Sequence, residues 1–351
     1  MKYAFITFAI VMMAAALSSS SNSHVGALPR RLIKRAVTVA QCFTGLPTNL
    51  AFDDSCKDLF LPGKGFRAVT SITLAALDLD FSDPDPLKII LSSPDMKVGV
   101  ISNLPIPITG TRQDVTLVDN GVNIATFSTP WVPGVMKGNL LETTVGSTTL
   151  NVNDTQRDQF SAFIASLTIN TEHNFTLKGT VDVNFTLPTP FGTPVVTTIT
   201  GIYFESIVTL KGFANFPDIQ FVELIEKTEN TDNSFTIKSK VNIKSASQLG
   251  VKMGDVQFHT FDAVSSEAIG VTVLEQLNLV PGDNFIIAVT TSTSATTKPQ
   301  DIFKRVSENG EIFRLEGFSA SSTTDPILSN GIAVVKTNVT IPALNTAAPA
   351  A

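Results

Sequence analysis

Asn174-Phe175-Thr176-Leu177-Lys178-Gly179-Thr180-Val181-Asp182-Val183-Asn184-Phe185-Thr186-Leu187 decides the fold class. Phe175, Leu177, Val181, Val183, Phe185 and Leu187 share one parity; Asn174, Thr176, Lys178, Thr180, Asp182, Asn184 and Thr186 share the other. Successive side chains of a strand point to opposite faces, so this alternation describes a strand covered on one side and wet on the other. Phe235-Thr236-Ile237-Lys238-Ser239-Lys240-Val241-Asn242-Ile243-Lys244 repeats it. Further strands are expected near 69–81, 87–101, 114–128, 194–211, 254–261, 270–278, 283–291 and 331–341, punctuated by Asp-Pro, Asn-Gly and Pro-Gly turns.

Immediately before the first of these strands, Asp154 to Leu167 places Phe160, Phe163, Ile164 and Leu167 on one helical stripe, with Asn153 or Asp154 as its cap. A second helix is expected over Pro299 to Glu308, with Ile302, Phe303 and Val306 on one side and Gly310 as its exit. Each helix is followed by Phe-x-Leu-x-Gly: Phe175 to Gly179 and, 138 residues later, Phe313 to Gly317. Leu77-Asp78-Leu79-Asp80 matches Lys240-Val241-Asn242-Ile243 as an opening strand. The expectation is therefore an all-β protein of two tandem β-sandwich modules, 66–215 and 216–345, each with one short helix. Residues 346–351 are expected to form a disordered tail.

The order of helix, Phe-x-Leu-x-Gly strand, Thr198-Ile199-Thr200-Gly201-Ile202 and Val208-Thr209-Leu210-Lys211-Gly212-Phe213 resembles a fungal family of exported or vacuolar proteins. That family carries a domain of unknown function related to the late-embryogenesis-abundant, water-stress-type β-sandwich. The resemblance implies a fold and a fungal secretory setting, and brings no functional residues with it. The second copy lacks the Gly201 and Gly212 pattern.

At the N-terminus, Lys2, an apolar run from Ala4 to Leu17 and Ser18 to Ser21 form the pattern of a secretory signal peptide. Two dibasic pairs follow, and Lys34-Arg35 resembles a kexin-type processing site, so residues 1–35 read as signal peptide and propeptide and Ala36 as the mature start. Cys42 and Cys56, the only cysteines, would be joined in an oxidising compartment and would staple the segment 36–65; closing a loop of about 15 residues is worth about 3 kcal/mol. No later stretch is long and apolar enough for a membrane-spanning helix. Secretion is the expected localisation, with the vacuole as the alternative.

The 351 residues are 43% hydrophobic and 16% charged, which provides for cores and excludes general disorder. Without Lys2, Arg30, Arg31, Lys34 and Arg35 the chain keeps 20 basic against 31 acidic residues, a balance of −11 that suits no nucleic-acid backbone. His173 and His259 show no metal-binding spacing and read as surface or strand-packed residues. Gly317-Phe318-Ser319-Ala320-Ser321 imitates a nucleophile elbow without its last glycine, but continues a strand, and the repeat puts Val181 where Ser319 stands. Gly63 to Ala68 reads as linker rather than phosphate loop. Asp78, Asp80, Asp83 and Asp85 read as a solvated acidic turn rather than a calcium loop. Lys238, Lys240 and Lys244 share one strand face, read as protection of an edge. Trp131, in Pro130-Trp131-Val132-Pro133, reads as core, and with Tyr203 it is the only amphipathic ring beyond the leader, which argues against sugar recognition. Sequons stand at Asn153, Asn174, Asn184 and Asn338, and Asn174 and Asn184 fall on the wet face of one strand, where glycans are expected.

No catalytic residue, metal or cofactor is assigned. The expected function is that of a non-enzymatic exported protein with a structural or interaction role at the cell surface or wall, its partner a protein or a wall component. A carrier of an apolar small molecule such as lipid is the alternative, and a hydrolase using paired carboxylates comes third.

Overall fold

A computed structural model describes residues 69–100, 108–187, 195–216, 219–230, 234–293, 299–318, 323 and 325–343. Sixteen strands join one hydrogen-bonded sheet. The first half contains β1 (Val69–Leu74), β2 (Leu77–Asp80), β3 (Lys88–Val100), β4 (Ile108–Asp119), β5 (Val122–Ser128), β6 (Gly134–Lys137), β7 (Leu140–Val152), helix α1 (Arg157–Ile169), β8 (Glu172–Leu187) and β9 (Val195–Lys211). The second contains β10 (Ile219–Glu229), β11 (Phe235–Ser245), β12 (Leu249–Asp262), β13 (Ala268–Leu279), β14 (Gly282–Ser292), α2 (Pro299–Asn309), β15 (Glu311–Glu316), α3 (Pro326–Ile332) and β16 (Lys336–Ile341). Three regions depart from the expected strands. Residues 69–81 break into β1 and β2, 114–128 is a hairpin turned at Asn120-Gly121, and 326–332 is helical.

The second half is a closed barrel of seven strands rather than a sandwich. Its order is β11-β14-β13-β12-β15-β16-β10, and β10 returns to β11. Closure depends on a two-residue parallel ladder, Ile219 with Val339 and Gln220 with Thr340. Alternation along a strand fixes which face is buried but not whether the sheet meets its own edge, so the pattern that predicted a sandwich serves a barrel equally well. The first half follows the matching circuit, β3-β7-β5-β4-β8-β9 with β1 on the far side of β3. There β1 runs beside β9, in the same direction, and the Ile72 N–H donates to Ser206 Oγ at 3.0 Å. In this correspondence β11 matches β3, not the segment 77–80; β2 has no counterpart, and α3 is a second helix that only the second half possesses.

The repeated Phe-x-Leu-x-Gly has a steric basis. Phe175, Leu177, Phe313 and Leu315 point into cores. A Cβ on Gly179 would stand 1.9 Å from the Asp114 carbonyl oxygen on neighbouring β4; one on Gly317 would stand 2.0 Å from that of Ile332, at the end of α3. Glycine is required in both places because a backbone passes too close for any side chain.

Contacts join the halves at several places, including the end of β9, where Ser247 Oγ donates to the Lys211 carbonyl at 2.7 Å; three others stand out. First, β2 forms a parallel ladder with β12 from Leu77–Leu249 to Asp80–Lys252. Next, α3 packs on α1, where Ser161 Oγ donates to the Ile327 carbonyl at 3.2 Å. Finally, the chain leaves β9 through Ala214, Asn215 and Phe216, all left-handed with φ of 49°, 61° and 51°. That conformation costs about 1–2 kcal/mol per ordinary residue. It is held because the Phe213, Ala214 and Asn215 N–H groups donate to carbonyls of Leu167, Asn170 and Thr168, the otherwise open end of α1. The Asn215 side chain then grips the Lys336 backbone, accepting from its N–H at 2.9 Å and donating to its carbonyl. One large core cluster runs through both halves, and α2 packs Ile302 and Val306 with Ile269 and Phe313 in a small satellite.

Candidate functional surface

Among the described residues, apolar side chains pack the interior of the second barrel. A void of about 10 Å³ lies among Phe216, Ile219, Ile243, Phe258, Leu274, Leu277, Leu315 and Thr337, about the size that admits a single water and apolar in its lining apart from one threonine. Chemistry is therefore sought at the barrel ends and on the outer faces.

At one end of the first half, His173 Nε2 lies 2.8 Å from Asp119 Oδ1, with the two side chains 14% and 7% exposed. The Asn120 amide donates to the other Asp119 oxygen at 3.0 Å, and the imidazole stands edge-on to Phe163. A carboxylate that orients an imidazole is half of an acid–base device, which also requires a reacting hydroxyl, thiol or water within reach. Among the described residues no hydroxyl is bonded to His173. The matching end of the second barrel holds Asp262, 3% exposed, whose Oδ2 is 2.5 Å from Arg305 Nη2. Arg305 Nε approaches Glu311 Oε2 to 2.5 Å, an ion pair too bent to be a hydrogen bond. Burial pushes the Asp262 carboxyl up, but N–H groups of Ser265 and Val264, and then Arg305, outweigh it and hold the group below the usual carboxylate range.

His259 is exposed on the outer face of β12, its ring 4.2 Å from that of Phe318 between centroids. The acidic turn is consumed locally: Asp83 and Asp85 accept the Asp85 and Leu87 N–H groups, Asp85 pairs with Lys88, and Asp80 pairs with Lys252 at 3.0 Å. Among the described residues no three His, Cys, Asp or Glu side chains are placed to hold a metal. Lys238, Lys240 and Lys244 do lie on one face, but β11 is paired on both sides, with β10 and β14, so they guard no edge. Lys238 and Lys240 answer Glu275 and Glu223, and Lys240 also covers the exposed Phe285 ring. Cys42, Cys56, Lys34, Arg35, Gly63 to Ala68 and Ser319 lie outside the described residues.

Trp131 overturns its assignment to the core: it is 41% exposed on the outer face of the first half. Paired backbone hydrogen bonds between Val132 and Thr111 hold its segment beside β4. The indole lies over Gly110 on that strand, where a Cβ would be in ordinary contact with Trp131 Cε3 at 3.6 Å. Two residues on, the Arg112 guanidinium carbon stands 5.3 Å from the ring centroid and its Nη2 is 2.5 Å from Asp182 Oδ2 on β8. Asp182 Oδ1 accepts the Gly201 N–H from β9 at 2.9 Å, where φ of 72° marks the irregular pairing of β8 with β9. Tyr203, opposite Thr180 and on the same face, donates to Glu205. Sequence reasoning missed this surface because its parts come from four separate segments; the glycine at 110 and arginine at 112 give no signal until Trp131 is placed above them.

The sequons fall on surface backbone. Asn153 caps the short 3-10 turn at Asp154–Gln156 and accepts the Thr155 hydroxyl. Asn174 and Asn184 share the outer face of β8, and each accepts a threonine hydroxyl of β9 at 2.6 Å, from Thr209 and Thr198. Asn338 is exposed on β16.

Residues 125–260 match DUF3712, a family described as a protein of unknown function. The matched segment begins in β5 and ends in β12, so it crosses from the first half into the second. No curated protein matches. Among solved structures the chain is similar to the exo-β-D-glucosaminidase CsxA in complex with castanospermine and australine analogues, at 10% identity and a TM-score of 0.20, covering 76% of this chain and 26% of that one. It is also similar to the Amycolatopsis orientalis exo-chitosanase CsxA, at 11% identity and a TM-score of 0.18, covering 70% and 25%. The chain thus spans about a quarter of those chains, and likeness at this level carries no argument about fold or activity. Among the described residues no helix is long and apolar enough to cross a membrane.

Proposed function

We propose that this is an exported, non-enzymatic interaction protein of the cell surface or wall, with the vacuole as the alternative destination. The observation that carries the proposal is where its polar chemistry lies. The buried acids near a base, Asp119 and Asp262, are tied into pairs at strand ends, while the indole of Trp131 and the Arg112–Asp182 pair are offered outward. The leader through Arg35, the dibasic site and the expected Cys42–Cys56 bridge support export. The resemblance to fungal exported proteins of the water-stress type supports the same setting. The small void among the described residues of the second barrel, about 10 Å³, offers no room there for a lipid, which needs a cleft of hundreds of Å³; a carrier would have to hold its ligand elsewhere.

Fractionation tests the proposal. Full-length protein expressed with its own leader is expected in the medium, in the wall fraction or in the vacuole, beginning at Ala36 by intact mass. Protein confined to the cytosol with residues 1–35 attached would refute it.

A further inference from the structure

Trp131 is a large apolar ring on the surface of a chain whose other rings are mostly buried phenylalanines, and its neighbour supplies a reason. Gly110 pairs with Asn184 across β4 and β8. Trp131 Cε3 and Asn184 Cβ both lie within 4 Å of the single point a Gly110 Cβ would occupy. The indole and the sequon asparagine therefore flank one bare strip of backbone. Asn184 Oδ1 is turned to β9, where it accepts the Thr198 hydroxyl at 2.6 Å. In a planar amide the nitrogen points away from the oxygen, so Nδ2, the atom that carries an N-linked sugar, is turned away from β9 toward the side of β4 and Trp131.

We propose that Asn184 bears an N-linked glycan whose first N-acetylglucosamine lies against the indole of Trp131. Sugar rings present a face of C–H groups to aromatic rings; Gly110 lies by Cε3 of the Trp131 ring and the Arg112 guanidinium stands over the ring, which fixes the indole and leaves its exposed part to the sugar. Asn174 provides the contrast on the same strand. It shares the outer face and the same kind of threonine bond, and is the more exposed of the two, but has no exposed indole beside it. In the attachment, Nδ2 attacks C1 of a polyprenyl-diphosphate-linked oligosaccharide; the N–C1 bond forms, the C1–O bond to diphosphate breaks, and the amide loses one proton as the lipid diphosphate leaves. The inference rests on the export reading, because only exported chains meet that donor.

Trp131 is the chain's single tryptophan, so its emission reports this contact alone. Protein is expressed with its leader, occupancy is read by glycopeptide mass, and quenching by acrylamide is compared in three states: intact, trimmed by an endoglycosidase to one N-acetylglucosamine, and stripped. The intact and trimmed proteins are expected to be equally shielded. Stripped protein and Asn184→Gln are expected to quench roughly twofold more readily, since one sugar covers about half of an exposed indole, and Asn174→Gln should match the wild type. Asn184→Gln should also lower the melting temperature by about 2 °C, a difference that disappears in the Trp131→Ala background. An unmodified Asn184 beside occupied sequons elsewhere overturns the inference and leaves export standing. An occupied Asn184 with unchanged quenching on stripping overturns the contact. A cytosolic chain with no sequon occupied overturns both readings.

Discussion

The two halves reach the same corner and solve it differently. Asp119 closes β4 and Asp262 closes β12, at matching places in the two strand circuits, and each carboxylate is buried. In the first, the turn is self-sufficient: Asn120 and Gly121 supply the positive φ that a tight hairpin requires. Asp119 is left to hold His173, the residue before the Asn174 strand face begins. In the second, Ala263 to Glu267 lacks that dipeptide, and Asp262 builds the turn itself by accepting the Val264 and Ser265 N–H groups at 2.8 Å. Arg305 then neutralises it, and Glu311, 138 residues beyond His173, takes the histidine's place. A strand end requires an acceptor; what answers that acceptor is decided by how much of the turn it must also hold.

The sharpest way to break the likeness is at the repeated glycine. Gly179→Val and Gly317→Val are both expected to cost about 3 kcal/mol, because a neighbouring backbone occupies the space. They should differ in kind: the first opens β4 from β8 within the first half, whereas the second pushes α3 away and frees α1. Hydrogen exchange should localise them, and equal exchange patterns would contradict this account. Next come the corners. Asp262→Ala should lower stability by about 2 kcal/mol, orphaning two N–H groups and leaving Arg305 with Glu311 alone, and Asp119→Ala by about 1 kcal/mol. Denaturant midpoints in the reverse order would show that the turn is not the acceptor's main task.

Acid separates the same groups by sign. Asp262 and Asp80 are held below the usual carboxylate range; for Asp80, burial pushes up but Ser82 and Lys252 prevail. Their stabilisation is full above the ordinary carboxylate pKa and is lost as pH falls through their lowered values. Asp325 is the opposite case. Burial raises it, and the Leu328 and Ile327 N–H groups and Arg157 only partly compensate. The native state therefore holds its proton more tightly, and stability is lost as pH rises through the raised value. Asp325→Asn should preserve the cap of α3 and remove that loss, seen as a smaller drop in denaturant midpoint between acid and neutral pH; Asp325→Ala should lose the cap, about 1 kcal/mol. Smallest is Lys252→Ala, which removes the ion pair across the β2–β12 seam; a change under about 1 kcal/mol that shrinks further in salt is expected.

The sequence announced what is local. Asn174 to Asn184 alternates as written, α1 and α2 begin and end within a few residues of expectation, and Phe-x-Leu-x-Gly marks equivalent strands. Barrel closure was illegible because it is settled by two residue pairs, Ile219–Val339 and Gln220–Thr340, about 120 positions apart. The strand that closes it was overlooked for a related reason. Beyond Phe221, β10 is exposed on both faces, with irregular pairing at Val222 and Ile225, so no alternation survives to be read. Trp131 was misplaced because a Pro-Trp-Val-Pro segment looks alike inside or outside, and the strand it lies over, at Gly110, is 21 residues upstream.

The short β2–β12 ladder has a bearing on how the protein is made. Residues 77–80 leave the ribosome long before 249–252 exist, a lag of roughly 10–30 s at ordinary synthesis speed. During that interval the strand at 77–80 has β3 on one flank and nothing on the other. Until then a newborn chain carries this sticky margin past every other nascent polypeptide near it. Folding helpers that mask bare β edges should therefore bind the half-finished protein and let go once residue 252 has emerged.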